Sequence, residues 1–187
     1  DGFRPRNYDE QYSGAVPLSE ALARSLNVPA VRSLRKHGVD RTLRTLRAMG
    51  FSSIDNPADH YGLSLIVGGA ESSLWEISGA YASMARVLGN YGRGGRHYRT
   101  SDIHPLIIIN SAGNVPDTTR SETSPLSAAS ISCVLTALRE VHRPDDEMGW
   151  QSFADHERIS WKTGTSFGHR DAWAIGTSDQ WCVAVWS

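Results

Sequence analysis

The sequence predicts an α+β fold in which a block of helices precedes a small antiparallel sheet. Through most of the 187 residues, apolar side chains recur at the three- and four-residue spacing of amphipathic helices. The last part of the chain instead holds three short strand-like segments with close turns between them, namely ISWKTGTS, DAWAIGTS and QWCVAVWS. A run of helices followed by a run of strands is typical of the α+β class.

The composition excludes several classes of function. Hydrophobic residues make up 40% of the chain and charged residues 21%, which is typical of an ordinary globular domain. The formal net charge of -1 gives no electrostatic support for binding to nucleic acid or to anionic lipid. No apolar run approaches the roughly 18 residues of a membrane span, and the polar N-terminus has no signal-peptide core. We expect a single domain over 1–187.

The cysteine and histidine patterns point to neither a metal nor a cofactor. Cys133 and Cys182 fit no metal or redox spacing, and both are expected to be buried free thiols. The seven histidines are scattered, with no pair at i,i+4. We therefore expect no metal site and no cofactor.

Three short helices are predicted in the N-terminal part. Pro17 suits the first turn of the first helix. The second is expected from about Pro29, because a proline disfavours helix at the residue before it, to Lys36, with Gly38 closing it. Asp40 is the expected N-cap of the third helix, and Gly50 its end. The expected inward side chains of these helices are Leu18, Ala21, Leu22, Val31, Leu34, Leu43 and Leu46.

Two longer helices are predicted further along the chain. The first follows a loop over 52–70 and is expected from about 72 to 88. The second is expected to have Ser124 as its N-cap and Pro125 as its first residue. Between them, HPLIIINSAGNVP is expected to form a strand, a turn and an extended exit. The expected buried stripes are Leu74, Ile77, Tyr81, Met84 and Leu88 in the first helix, and Ile131, Val134, Leu135 and Leu138 in the second.

The strand-like segment WKTGTS carries the side chains that suggest chemistry. Strand alternation puts Lys162 and Gly164 on one face and Thr163 and Thr165 on the other. Gly164 leaves the backbone open to close approach, so that an edge strand here could pair with an extended peptide and offer an N–H to an oxyanion. The hydroxyls of Thr163, Thr165 and Ser166 could hold a carboxylate. A surface strand with one exposed lysine is the alternative interpretation.

A second candidate segment lies at the break between the first two helices. Ser25 and Asn27 flank Leu26 in the sequence ARSLNVPAV. A hydroxyl and an amide at this spacing in a loop can both point into one cleft. Simple helix capping by the two polar side chains is the alternative.

Together the two segments resemble the S-x-N and K-T-G motifs of penicillin-binding proteins and serine β-lactamases. Here the motifs are Ser25-Leu26-Asn27 and Lys162-Thr163-Gly164. The blocks GAVPLSEALARSLNVPAV, GGAESSLWEISGAYASMAR and KTGTSFGHRDAWAIG resemble class A penicillin-binding proteins in family order over nearly the whole chain, and FGHRDAWAIG leans toward the 1C subfamily. The resemblance implies the penicillin-binding and serine β-lactamase-like fold, an antiparallel sheet packed with helices, incomplete in this chain.

The resemblance also implies a D,D-transpeptidase, a penicillin target that cross-links peptidoglycan stem peptides by serine acyl transfer. It makes Ser25 a proton relay in contact with Lys162, and Asn27 a ligand of a substrate amide. Thr163 and Thr165 would bind the terminal carboxylate, with Gly164 and Ser166 in the same substrate-binding strand. The N–H of Thr165 would form half of the oxyanion hole. The expected partners are the stem peptide and β-lactams, and the implied location is the periplasmic face of the bacterial inner membrane.

The nucleophile that the resemblance implies is missing from the chain. The family's S-x-x-K segment precedes S-x-N, and the 24 residues before Ser25 contain no lysine. The only formal match, Ser33-Leu34-Arg35-Lys36, comes after S-x-N and is interpreted as an exposed helical end. We therefore expect the attacking serine to lie outside this chain, which would be a C-terminal portion of a transpeptidase domain that is inactive by itself.

Three other expectations accompany this interpretation. A part of a domain is expected to expose apolar surface, and a second copy is one way to cover it. The protein from which the chain derives is expected to be membrane-anchored. The competing functions are a non-catalytic β-lactam sensor or binding module of the same fold, and a D,D-carboxypeptidase or β-lactamase.

Overall fold

A computed structural model describes residues 3–7, 10–12, 14–93, 95–108, 119–141, 159–166 and 170–187. Within these ranges, helices dominate the chain up to residue 138, and an antiparallel sheet forms its end. The predicted α+β class is therefore confirmed.

After α1 (Leu18–Ala23), the N-terminal helices share one buried core. They are α2 (Asn27–His37), α3 (Val39–Ala48), α4 (Ala58–Tyr61) and a 3-10 helix (Gly62–Val67). Gly38 ends α2 as predicted, where its φ of 99° is a conformation that favours glycine. The apolar faces of these elements meet in a cluster of Val31, Leu34, Leu43, Ile54, Tyr61, Leu63 and Leu65.

Two longer helices form a second core, on which the sheet rests. They are α5 (Leu74–Arg93) and α6 (Ala128–Leu138). Val87 of α5 is fully buried between them, and Leu22 of α1 packs against the same cluster. The buried members of this cluster are Val87, Ala128, Ile131, Leu135 and Leu138.

The sheet contains three antiparallel strands in the order of the sequence. A short pair, β1 (Tyr98–Arg99) and β2 (Arg120–Ser121), precedes it. The sheet itself consists of β3 (Ser160–Thr165), β4 (Ala172–Thr177) and β5 (Cys182–Trp186). Buried Ser160, at the start of β3, donates a 2.8 Å hydrogen bond to the Leu135 carbonyl of α6. This bond fixes β3 beside the helices.

One face of the sheet packs on α5, and the other leaves apolar side chains exposed. The Cys182 thiol donates to the Ser78 carbonyl of α5 at 3.5 Å, so the Cys182 side chain lies on the face of β5 that packs on α5. Because strand side chains alternate, Val183 and Val185 point to the opposite face, where they are 62% and 56% exposed. Trp181 and Ile159 add to this apolar surface.

Helix starts differ from the predicted ones for identifiable reasons. α2 begins at Asn27 and not at Pro29, because a proline in the first turn loses no intrahelical hydrogen bond. α3 begins at Val39, so Asp40 lies inside its first turn and does not cap it. α6 has its N-cap at Ser127, whose hydroxyl accepts the Ser130 N–H at 3.1 Å.

Several side chains also differ from their predicted environment. Leu18 and Val134 are exposed, and Cys133 is an exposed free thiol, so its predicted burial is wrong. Cys182 is half-buried and free, and burial raises the pKa of its thiol.

In three further segments, the described residues differ from the prediction. Residues 104–108 form no strand, and 109–116 lie outside the described residues. Within the predicted loop at 52–70, the structure has α4 and the 3-10 helix. α5 continues past residue 88 because Tyr91 packs on Tyr98 at a ring distance of 4.9 Å, and packing overrides the low helix propensity of its glycines.

None of the helices in the described ranges is long and apolar enough to cross a bilayer.

Candidate active site

Ser25 occupies an unusual backbone position at the end of α1. The Leu26 N–H donates to the Ala21 carbonyl at 2.9 Å, and the Ser25 N–H donates to the Leu22 carbonyl at 3.1 Å. These two bonds are the Schellman pattern, in which the residue after the helix adopts the left-handed conformation. Ser25 does so with φ 56°, where glycine is the usual residue. The residue at this position is a serine, which adds a hydroxyl to the turn.

Lys162, in the middle portion of β3, meets that hydroxyl. Its ammonium donates a hydrogen bond to Ser25 Oγ and a second one, of 2.9 Å, to the Thr163 carbonyl. The two side chains are 137 residues apart in the sequence, so the contact joins the helical block to the sheet. The structure therefore contains the contact that the two motifs led us to expect, while the catalytic roles of both side chains stay predictions.

The environment of Lys162 changes its acid–base behaviour. Burial lowers the pKa of the Lys162 ammonium, because removal from water disfavours the charged form. An amine with a lowered pKa is more often neutral at physiological pH and can accept a proton. With Ser25 as its hydrogen-bond partner, the pair has the donors and acceptors that a proton relay requires.

Asn27 lies two residues beyond Ser25, as the first residue of α2. Its Nδ2 donates a 3.0 Å hydrogen bond to the Arg6 carbonyl, in the irregular segment at the N-terminus. Within the described part of the chain its amide oxygen has no hydrogen-bond partner. The structure thus brings Ser25 and Lys162 together, but it ties Asn27 to the N-terminal segment and not to β3.

The rest of the K-T-G strand is open to solvent. Thr163, Gly164 and Thr165 are exposed, and among the described strands β3 pairs only with β4. A Cβ at Gly164 would meet Trp173 Cβ at 3.6 Å, an ordinary van der Waals contact. Packing of the strand therefore does not require a glycine here, and the bare backbone serves approach from the open edge.

Ser166 is engaged by the turn that follows β3. Its N–H donates to the Asp171 carbonyl at 3.0 Å, and its Oγ accepts the Asp171 N–H at 2.8 Å. Trp186 Nε1 donates to Asp171 Oδ1 at 3.0 Å. Hydrogen bonds from Ser166 and Trp186 lower the pKa of the Asp171 carboxyl. The predicted role of Ser166 in substrate binding therefore competes with its role in closing the hairpin.

Among the described residues, neither Ser33 nor Lys36 of the formal Ser-x-x-Lys match has a side-chain hydrogen bond to Ser25 or Lys162. Ser33 and Lys36 lie on α2, and both side chains are exposed. The only other lysine of the chain is therefore a surface residue. In the described ranges no group of three or more His, Cys, Asp or Glu side chains could hold a metal ion.

The sequence did not reveal the contribution of the N-terminal segment. Asn7 is buried, and its Oδ1 accepts the Val28 N–H at 3.1 Å, next to the Ser25–Asn27 loop. The residue before α2 is the one feature of the sequence that could have indicated this contact. Leu26 has no side chain that can cap a helix, so a cap has to come from elsewhere.

Comparison with known proteins gives one consistent group. No family model matches the chain. Penicillin-binding protein 1C of Escherichia coli is 31% identical over 99% of the chain, and penicillin-binding protein 1B of Haemophilus influenzae is 29% identical over 98%. The chain spans about a fifth of the length of these curated relatives (21% and 22%).

Solved structures agree on the fold. Penicillin-binding protein A of M. tuberculosis, solved as an imipenem acyl-enzyme, matches 100% of the chain with a TM-score of 0.63 at 17% identity. The D,D-transpeptidase domain of a peptidoglycan glycosyltransferase from Eggerthella lenta matches 96% with a TM-score of 0.63 at 14% identity. The chain covers 46% and 50% of those two chains. The fold predicted from the two motifs, that of penicillin-binding proteins and serine β-lactamases, is confirmed.

Proposed function

Because the chain belongs to the transpeptidase-domain family of class A penicillin-binding proteins, we propose that it forms two walls of the active site of a D,D-transpeptidase. The observation that supports the proposal is the hydrogen bond between Lys162 of K-T-G and Ser25 of S-x-N. The substrate is the D-Ala-D-Ala end of a peptidoglycan stem peptide, and β-lactams react at the same place.

The proposed reaction is acyl transfer through a serine ester. A serine hydroxyl adds to the carbonyl of the D-Ala-D-Ala bond, and the terminal D-alanine leaves with the proton of that hydroxyl. The amine of a second stem peptide then displaces the serine oxygen and gives up a proton that restores the serine hydroxyl. Ser25 and Lys162 move the proton that the leaving amine takes up. Thr163 and Thr165 bind the terminal carboxylate, and the Thr165 N–H stabilises the oxyanion. The amide oxygen of Asn27 accepts a substrate N–H, and Gly164 and Ser166 complete the substrate strand.

The attacking serine belongs to a Ser-x-x-Lys segment that precedes Ser25 in a longer protein, called the full-length protein below. The full-length protein is membrane-anchored and works at the periplasmic face of the inner membrane. The isolated chain is inactive, and its exposed Val183 and Val185 side chains associate with a second copy. A clean monomer by light scattering at high concentration would contradict the self-association.

The test is acylation of the full-length protein by a fluorescent penicillin, followed by denaturing electrophoresis. The wild type should give a stoichiometric band, and Lys162→Ala should slow labelling by about 10³-fold or more, because the proton relay is lost. Lys36→Ala is the matched control, since the chain has only these two lysines and Lys36 is exposed on α2. Equal labelling of the Lys162→Ala and Lys36→Ala variants would remove Lys162 from the site.

A further inference from the structure

Helix α2 begins without a capping side chain of its own. Its N-cap position is Leu26, and no side chain at that position bonds to the first turn. The first N–H groups of a helix have no partner within the helix and need one from elsewhere. The start of α2 matters for the site, because Ser25 is separated from it only by Leu26.

Asn7 supplies the missing cap from another part of the chain. Its Oδ1 accepts the Val28 N–H at 3.1 Å across 21 residues of sequence, and Val28 is the second residue of α2. Asn7 is 6% exposed, so the acceptor end of this partly buried hydrogen bond is shielded from water. An N-cap oxygen usually comes from the residue next to the helix. Here a tertiary contact replaces it.

The segment that carries Asn7 is itself fixed. Asn7 Nδ2 donates to the Gln11 carbonyl at 2.7 Å, and the Glu10 N–H donates to the Asn7 carbonyl at 3.0 Å. Phe3, near the start of the segment, packs against the core of the N-terminal helices. Asn7 therefore reaches α2 from an anchored support and not from a free terminus.

A second bond joins the same two segments. The Arg6 carbonyl accepts Asn27 Nδ2 at 3.0 Å. Two consecutive residues, Arg6 and Asn7, thus hold two consecutive residues at the start of α2. The bond from Arg6 orients the amide of Asn27. The bond from Asn7 fixes the backbone at the start of α2, next to Ser25.

We propose that Asn7 is a positioning residue for the Ser25–Asn27 loop, so that the N-terminal segment sets the geometry of the site without touching the substrate. Ser25 holds a left-handed conformation that costs an L residue free energy, and such a conformation persists only where its surroundings enforce it. Without the cap, the first turn of α2 frays, and Ser25 Oγ moves away from the Lys162 ammonium. The proposal rests on the function proposed above.

The experiment compares three variants of the full-length protein. Asn7→Ala removes the cap, and Asn7→Asp keeps an oxygen that accepts the Val28 N–H, since Asp and Asn are equivalent N-caps. Asn90→Ala is the matched control, because Asn90 Nδ2 donates to buried Asp102 at 2.6 Å in a hydrogen bond outside this loop. Acylation rates are measured with a fluorescent penicillin at a temperature where every variant is folded.

Asn7→Ala should lower the second-order acylation rate by about 10- to 100-fold, which is the typical cost of misplacing a reacting group by about 1 Å. Asn7→Asp should recover part of the rate, because it keeps the cap oxygen but loses the hydrogen bond to the Gln11 carbonyl, and Asn90→Ala should acylate like the wild type. A wild-type rate for folded Asn7→Ala would overturn the proposal, and so would equal losses in Asn7→Ala and Asn90→Ala.

Hydrogen exchange at the Val28 amide tests the role of Asn7 independently of the proposed function, because the exchange rate does not depend on acylation. Asn7→Ala should speed exchange at Val28 and leave α3 unchanged, and unchanged exchange at Val28 would overturn the role of Asn7 whatever the activity. If Lys162→Ala still acylates normally while Val28 exchange rises in Asn7→Ala, the proposed function fails and the cap stands.

Discussion

At the scale of single residues, Ser25 shows a conflict between stability and function. The Schellman turn favours glycine at this position, because a left-handed L residue costs roughly 1–2 kcal/mol. The serine brings a hydroxyl that the ammonium of Lys162 uses. The resemblance implied the contact, but helix-end rules in the sequence would have placed a glycine here.

The conflict predicts that two substitutions at this position differ in stability and share a loss of activity. Ser25→Gly should be more stable than Ser25→Ala by about 1 kcal/mol, because glycine relieves the strain that alanine retains. Both variants should lose acylation of the full-length protein, because neither has a hydroxyl. Urea unfolding measures the first effect and fluorescent penicillin the second. Equal unfolding midpoints would show that the backbone at Ser25 is not strained.

Single residues also show how much of the site could be predicted from the sequence. Ser25 and Lys162 were recognised because each lies in a short motif whose spacing is visible in the sequence. Asn7 was not, because a side chain that caps a helix from 21 residues away leaves no local pattern. Ser166 was assigned to the substrate, although the hairpin also uses its hydroxyl, since the sequence does not show which partner an exposed serine takes.

At the scale of elements, the start of α5 depends on one carboxylate. Ser73 and Glu76 form a capping box, in which the Glu76 N–H donates to Ser73 Oγ at 3.2 Å and the Ser73 N–H donates to Glu76 Oε2 at 3.1 Å. Glu76 also accepts hydrogen bonds from the backbone and hydroxyl groups of Ser52 and Ser53. One side chain thus joins α5 to the loop after α3.

The pKa of Glu76 makes this contact dependent on pH. Burial raises the pKa of the carboxyl, but the hydrogen bonds from Ser53, Ser73 and Ser52 lower it by more, to well below its usual range. A carboxyl whose folded pKa is lowered stabilises the fold at a pH above its unfolded pKa, about 4.3. This stabilisation is lost as the pH falls below that value toward the lowered folded pKa.

Glu76→Gln should therefore destabilise the isolated chain at pH 7 by about 1 kcal/mol or more, because the uncharged amide keeps only one acceptor oxygen for the hydrogen bonds from Ser52, Ser53 and Ser73. The variant should also lose less stability than the wild type between pH 5 and about 3. Thermal unfolding across this range is the measurement. Glu71→Gln is the control, because Glu71 is an exposed acid before the same helix. Parallel pH curves for the wild type and Glu76→Gln would contradict the assigned role of the carboxylate.

Element boundaries show where sequence rules succeed and where they fail. Gly38 ended α2 as predicted because the positive φ that closes a helix needs glycine. Ser124 and Ser127 are equally good caps by residue type, and the sequence does not distinguish between them. Ala128 and Ile131 are both buried against α5, and this packing makes Ser127 the cap. Tertiary contacts decided the boundary that local preference left open.

At the scale of the whole molecule, the site exists only where the helical block meets the sheet. Ser25 belongs to the end of α1, and Lys162 belongs to β3. The Ser160 hydroxyl fixes β3 to α6, and α1 packs near α6 through Leu22. The sequence could predict both motifs and the fold class, but the position of α1 over β3 follows from packing around α6.

A double-mutant cycle of Ser25 and Lys162 in the full-length protein tests this arrangement most directly. Acylation rates would be measured for Ser25→Ala, Lys162→Ala and the double variant. If the two side chains act as one unit, the double variant should be no slower than the slower single variant. Independent, multiplying losses in the double variant would contradict the claim that Ser25 and Lys162 form one proton-transferring pair across the groove.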